Sequence, residues 1–270
     1  MSARLDRLDK LLNNQIFQLQ ADNRVFRALV IGKTGCGKTT ILEKICGGSM
    51  KYKGGETFKR GIHEIERELV ADGNNRFVAH DSQGFEGGST REYQIVQEFL
   101  RKRERMPRDE RVHVIWYCLQ ASSRPIQVAE QRFFSEYSGQ APVIAILTKF
   151  DILLDECQQE VEETMDFDAD DEEDEDQILA AASIIAERKF QEGYRDPLMA
   201  MPRPPSAVIR VANVNVESGD REKSGPLREL LDVTLESLQK QDFGLSILFA
   251  SAQRASSFIR YFWELSILSQ

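Results

Sequence analysis

The sequence predicts an α/β fold, a three-layer αβα domain with a mostly parallel sheet, and three observations carry that prediction. Short apolar, β-rich runs recur along the chain, helical patterns separate several of them, and a glycine-rich loop joins the first run to the first helix. The runs are Val25 to Ile31, Phe77 to His80, Val112 to Cys118, Val143 to Thr148 and Ala207 to Val211. Near-continuous apolar runs of this length suit strands buried on both faces. Residues Ile62 to Val70 are expected to add an antiparallel edge strand.

The helical patterns are Thr39 to Cys46, Tyr93 to Arg105, Pro125 to Tyr137 and Ile178 to Glu192. Pro202, Pro204 and Pro205 mark an extended linker into the last strand. Leu227 to Leu238 then resumes helical periodicity, and a further helix begins near Phe243. The main domain is thus expected over 25–240, with helical extensions at both ends. In the first extension, 1–24, Leu5, Leu8, Leu12, Ile16 and Leu19 recur at three- and four-residue steps, the mark of an amphipathic helix over 4–20. In the last, 241–270, Phe258, Ile259, Tyr261, Phe262, Trp263, Leu265 and Leu268 make an apolar tail. Packing on its own domain is the favoured reading of that tail over membrane-surface or partner docking.

With 270 residues, 41% of them hydrophobic, the chain can bury one sizeable core. It has no apolar run long enough to span a bilayer and no secretory leader pattern, so a cytoplasmic protein is expected, with peripheral membrane association as the alternative. Cys36, Cys46, Cys118 and Cys157 show no CxxC spacing and do not cluster with His63, His80 or His113, so neither a disulfide framework nor a zinc site is suggested. The net charge of −9 is local: 14 acidic and no basic residues lie between Asp155 and Asp176, leaving 35 basic against 30 acidic residues elsewhere. The block at about 155–177 reads as a flexible acidic insertion, because like-charge repulsion and ordering entropy oppose its folding. Its Asp166, Asp168 and Asp170 imitate the start of a calcium loop, but Asp171 and Gln177 stand where glycine and glutamate are needed.

Three motifs carry chemistry. Gly32-Lys33-Thr34-Gly35-Cys36-Gly37-Lys38-Thr39 fits GxxxxGK[ST] between a strand and a helix, the context its mechanism requires. Backbone N–H groups from Gly35 to Thr40 and the positive end of the helix would face phosphates, Lys38 would reach the β- and γ-phosphates, and the Thr39 hydroxyl would hold Mg2+. Cys36 reads as a small loop residue, with a reactive thiol as the minority alternative. Asp81-Ser82-Gln83-Gly84 follows the second run and fits DxxG: Asp81 would hold Mg2+, and the Gly84 amide would meet the γ-phosphate of GTP. Thr148-Lys149-Phe150-Asp151 fits [NT]KxD. The Asp151 carboxylate can accept from the guanine ring N–H and its amine, a donor pair that adenine lacks, while the Lys149 stem lies along the base.

The segments GKTGCGKTT, HDSQGFEGG, HVIWYCLQASSRP and LTKFD together resemble fungal G-domain-containing proteins of the Era-related P-loop GTPase superfamily, over roughly Val25 to Tyr261, with an LxxxTxxxL pattern at Leu230 to Leu238. The resemblance implies a Ras-like αβα fold binding GTP or GDP. Two positions depart from the pattern. Ile62 occupies the place where a switch threonine is expected, which leaves Thr57 as the other metal-ligand candidate. Phe85 follows Gly84 where many GTPases carry a water-orienting glutamine; with Gln83 two residues before, slow intrinsic hydrolysis is expected. Arg124 is a candidate for action in trans, read more simply as a solvated loop residue. Ala212-Asn213-Val214 occupies the place of the last base-contacting segment without its usual SAK pattern.

The reading is therefore a Mg2+-dependent switch that hydrolyses GTP slowly and reports to an unidentified protein effector. A nucleotide-dependent homodimer stays open by analogy. A scaffold locked on its nucleotide and an ATP-using P-loop enzyme are the alternatives. Arg101, Lys102, Arg103, Arg105, Arg108 and Arg111 form a basic stretch, read as a solvated helix end in preference to a nucleic-acid surface.

Overall fold

The structure is a computed structural model, and it describes residues 25–46, 49–54, 65–71, 74–82, 90–121, 125–164, 172–214 and 227–252. The expected N-terminal helix, Thr57, Gln83, Gly84, Phe85, Arg124, Asp166 to Asp171 of the imitation calcium loop and the apolar tail lie outside the described residues. Seven strands form one sheet in the order β2-β3-β4-β1-β5-β6-β7. They are β1 (Phe26–Gly32), β2 (Met50–Tyr52), β3 (Leu69–Ala71), β4 (Asn74–Asp81), β5 (Val114–Gln120), β6 (Val143–Thr148) and β7 (Ala207–Val211). From β4 to β7 all pairings are parallel, while β2 and β3 add an antiparallel edge. The edge strand expected over Ile62 to Val70 is shorter than its pattern: Ile65 to Arg67 turn, and pairing starts at Leu69. Its partner β2 has only three residues, too few for a period to show.

Alternation along the central strands divides the core in two. Phe26, Ala28 and Val30 of β1, with Trp116 and Cys118 of β5, face α1 (Lys38–Cys46), α7 (Arg228–Gln241) and α8 (Phe243–Ala252). Leu29 and Ile31, with Ile115 and Tyr117, face α2 (Thr90–Glu104), α3 (Val128–Glu136), α4 (Phe150–Thr164) and α5 (Glu172–Phe190). This is the α/β, three-layer arrangement, with near-continuous apolar strands because both faces are covered. Helix α3 starts later than Pro125 because the Glu130 carboxylate accepts the Gln127 N–H at 2.9 Å, closing the first turn there.

Two elements take their form from contacts distant in sequence. Trp116 is fully buried on β5 and its indole N–H donates to the Thr234 hydroxyl at 3.1 Å, while Leu230 and Leu238 flank that hydroxyl along α7. The polar residue within the LxxxTxxxL pattern therefore satisfies a buried donor. Helix α8, in the stretch expected as an extension, packs on β1 and β4: the Phe249 ring lies 4.8 Å from that of Phe26, and the Ala252 carbonyl accepts from Asn74 Nδ2 at 2.9 Å.

The flexible acidic insertion expected at about 155–177 is corrected at both its ends. Residues 155–164 belong to α4 and 172–177 to α5, and 165–171 lie outside the described residues. Leu153, Cys157 and Val161 recur every fourth residue on α4, and Ile178, Ala182 and Ala186 do so on α5; both stripes are buried. Asp155, Glu156, Glu162, Glu163, Glu175 and Asp176 are exposed, and Glu160 receives Lys189 Nζ at 2.5 Å. On α4 the charge of the segment hid a narrow apolar stripe that suffices to pair it with α5.

After α5 the backbone widens into a π-helical turn, Gln191–Arg195, and closes with α6 (Asp196–Met199).

Candidate functional site

The described residues of the three motifs converge at one edge of the sheet, the carboxyl ends of its parallel strands. Gly32 ends β1, Asp81 ends β4 and Thr148 ends β6; Val30 pairs with Asp81, and Gln120 at the end of β5 with Thr148. The connections from β1 and β5 leave toward opposite faces through α1 and α3, so the gap between these two strands is the switch point of the topology.

The glycine-rich loop is shaped by three backbone positions. Gly32 has φ +148°, and a Cβ there would stand 2.4 Å from the Cys118 carbonyl oxygen. Gly35 at +77° and Gly37 at +89° hold left-handed conformations that bring the chain back to start α1, whose first bond runs from Ile41 N–H to Gly37 O at 3.0 Å. Thr34 and Gly35 are exposed at the crest, Lys33, Gly37, Thr39 and Thr40 are half-buried, and Cys36 points into the core. The Lys38 ammonium, 5% exposed, donates to the Gly32 and Lys33 carbonyls at 2.9 and 3.0 Å and lies 3.9 Å from Asp81 Oδ1. A buried lysine and aspartate so placed bring one positive and one negative charge under a loop of backbone amides.

Beside Asp81, the Ser82 N–H donates to Val30 O at 3.0 Å, which holds the strand end against β1. His80 Nδ1 contacts Ile65 O at 2.8 Å and its ring lies tilted against that of Phe99, centroids 4.9 Å apart. Burial, aided by Arg103, lowers its pKa to about 4, so the ring is neutral and Nδ1 carries the proton that the carbonyl accepts.

On the far side of the switch point, the Thr148 hydroxyl donates to Leu119 O at 3.0 Å and anchors the turn between β6 and α4. Lys149 takes φ +57° to make that turn, and Asp151 falls in the first turn of α4. There Asp151 Oδ1 accepts the backbone N–H of Asn213 at 3.0 Å. Asn213 was placed in the sequence only by its position after β7. Its φ of +52° is one that asparagine tolerates better than most residues, and this was the available signal that the turn after β7 folds back toward Asp151.

Cys36 and Cys118 were not connected by the sequence. The neighbouring Cys118 thiol, with Lys38 acting in the same direction, holds the Cys36 thiol below its ordinary pKa against the effect of burial. Cys118 itself is pushed well up, by the Cys36 thiol and by burial.

Away from this edge, a cavity of about 450 Å³ lies at the amino ends of the strands, lined by Arg103, Arg108, Arg111, His113 and Asp242 among others. Much of the basic stretch is engaged internally: Arg103 donates to Glu110 O, Arg111 to Met106 O, Arg108 to Asp242, and Lys102 to Glu66. Among the described residues no group of three or more histidine, cysteine or acidic side chains is arranged to hold a metal, and no helix is long and apolar enough to cross a membrane.

No protein-family model matches the chain, and no curated protein matches it. Among solved structures it is similar to a septin GTPase domain from Chlamydomonas reinhardtii, with 13% identity, a TM-score of 0.36, and coverage of 91% of this chain and 96% of that one. It is similar also to a variant of Era from Aquifex aeolicus bound to GDP and aluminium fluoride, with 13% identity, a TM-score of 0.40, and coverage of 81% and 57%. The G domain of the FeoB iron transporter of T. maritima gives 14% identity, a TM-score of 0.38, and coverage of 80% and 99%.

Proposed function

We propose that this chain binds a guanine nucleotide with Mg2+ at the carboxyl edge of its sheet and hydrolyses GTP slowly, as a switch. What supports the reading above all is the joint placement of Lys38 at the start of α1, Asp81 at the end of β4 and Asp151 in the first turn of α4, all at the carboxyl edge of the parallel strands, in the crevice where α/β sheets bind ligands. In this reading phosphates lie over the amides of Gly35 to Thr40, compete with the Gly32 and Lys33 carbonyls for the Lys38 ammonium, and take their positive complement from the start of α1. Thr39 and Asp81 supply oxygen donors of the kind Mg2+ takes, and the donor set fits that ion in preference to a soft metal. The ion would neutralise charge on the phosphates. Thr57 is carried forward as a further ligand, and Gln83 and the Gly84 amide as the groups meeting the γ-phosphate.

Asp151 reads the base. With Oδ1 engaged by the Asn213 N–H, the carboxylate is held in one orientation and keeps acceptor capacity for the ring N–H and amine of guanine. Adenine offers no such pair and leaves the carboxylate's acceptors unmatched.

Affinities for GDP, GTP and ATP with Mg2+, together with single-turnover hydrolysis, test the proposal. The expected result is selective guanine binding with turnover below about 1 s⁻¹, under the usual enzyme range. Equal ATP and GTP affinity would overturn the base assignment. Turnover above that rate would overturn the slow switch, and tight GTP binding without any phosphate release would replace it with a nucleotide-locked scaffold.

A further inference from the structure

We propose that Cys36 and Cys118 are a reversible dithiol–disulfide modification site under the glycine-rich loop, oxidised by peroxide, whose closure withdraws the loop from its ligand. The bond stands on geometry, and only its effect on ligand rests on the nucleotide reading above. Cys36 belongs to the loop yet is 1% exposed; Cys118 is 2% exposed on β5 and pairs in register with Gly32. The point where a Gly32 Cβ would stand lies 2.8 Å from Cys36 Sγ and 3.0 Å from Cys118 Cβ, so the two side chains converge there from two different elements. Glycine at position 32 therefore does more than permit a turn: it leaves the space in which the thiols meet. The other two cysteines are elsewhere, Cys46 at the end of α1 and Cys157 in the opposite core.

The chemistry balances without a metal. The Cys36 sulfur attacks one oxygen of hydrogen peroxide; an S–O bond forms, the O–O bond breaks, and the departing hydroxide takes the thiol proton to become water. The Cys118 sulfur then attacks Cys36 Sγ; the S–S bond forms, the S–O bond breaks, and a second water leaves with the Cys118 proton. Two thiols are oxidised by two electrons, and one peroxide is reduced to two waters.

A disulfide requires an S–S length of about 2.05 Å and Cβ atoms about 3.8 Å apart, so closing it draws Cys36 toward β5. Gly35 and Gly37 flank Cys36 at positive φ and yield most readily, re-aiming the amides that face the phosphates. A ligand that binds only the open, reduced loop must protect it in proportion to its occupancy. In a reducing compartment such a bond is transient, the behaviour of a sensor and not of a structural link.

The test uses the full chain, reduced, with and without GDP and Mg2+, then exposed to hydrogen peroxide. Non-reducing proteolysis and mass spectrometry are expected to find the Cys36 peptide joined to the Cys118 peptide, two hydrogens lighter than the pair. GDP affinity is expected to fall by about tenfold or more, a change of about 1.4 kcal/mol or more, and to return with dithiothreitol, while saturating GDP slows the linkage. Cys118→Ala is expected to bind GDP normally when reduced and to keep its affinity under peroxide; replacing Cys46 and Cys157 together with serine is expected to leave the sensitivity intact. Absence of the linked peptide, or the same loss of affinity in Cys118→Ala, would overturn the proposal. If the reduced chain binds no nucleotide the guanine reading fails, while the linked peptide still decides the disulfide.

Discussion

Replacing Asp151 with asparagine tests the base assignment at a single atom. The Asn213 N–H donates to Oδ1 at 3.0 Å, and asparagine can keep that bond only through its carbonyl oxygen, which turns its amide nitrogen to where the second carboxylate oxygen stood. Two donors of guanine then meet a donor. Each charge-assisted hydrogen bond lost is worth about 1.5 to 3 kcal/mol, so Asp151→Asn is expected to weaken GDP binding by about 3 to 6 kcal/mol, or about 10²- to 10⁴-fold. Xanthine carries a carbonyl in place of the guanine amine and can accept from the new amide, so XDP is expected to regain much of what GDP loses. Competition of both nucleotides against a fluorescent GDP analogue measures the two affinities, and thermal unfolding of the ligand-free chain checks that the half-exposed position leaves the fold intact. A GDP loss of less than about tenfold, or an equal loss for GDP and XDP, would refute the role given to this carboxylate.

Three further outcomes follow from buried groups. Thr234→Val keeps the shape of the side chain but strips the Trp116 indole N–H of its acceptor, and is expected to cost about 1 to 3 kcal/mol by denaturant unfolding, more than Thr234→Ser, which keeps the hydroxyl. Gly32→Ala places a Cβ 2.4 Å from the Cys118 carbonyl at φ +148° and is expected to destabilise by about 1 to 3 kcal/mol from backbone strain alone, read as a lower melting temperature with weaker GDP binding. His113 is buried with Nδ1 accepting the Arg27 N–H, and burial holds its pKa at about 4, down from 6.5. Its folded-state pKa is the lower one, so its contribution is complete above pH 6.5 and is lost as pH falls toward 4, by about 3 kcal/mol in all. Urea unfolding between pH 7 and 4 measures this, and His113→Gln is expected to flatten that part of the curve.

Local patterns carried much of the architecture. The strand runs at Val143 to Thr148 and Ala207 to Val211 coincide with β6 and β7, and the others fall within a few residues of β1, β4 and β5. Those runs are legible because a parallel strand buried on both faces must be apolar at nearly every position. The loop from Gly32 to Thr39 was legible because its glycines are needed where φ is positive. Reading failed where charge masked a one-in-four stripe, as in α4, and where an element was too short for a period, as in β2.

The chain's own order of residues was enough to specify an α/β sheet, the turn of its glycine-rich loop and the carboxylates at Asp81 and Asp151, because each depends on neighbours a few positions away. Folding decided the rest. That Asn213 orients Asp151, that Thr234 satisfies Trp116 and that Cys36 meets Cys118 across Gly32 are contacts between residues 62, 118 and 82 positions apart. Strand order and face set such meetings, and a side-chain period along one strand carries no information about which other strand or helix will lie against it.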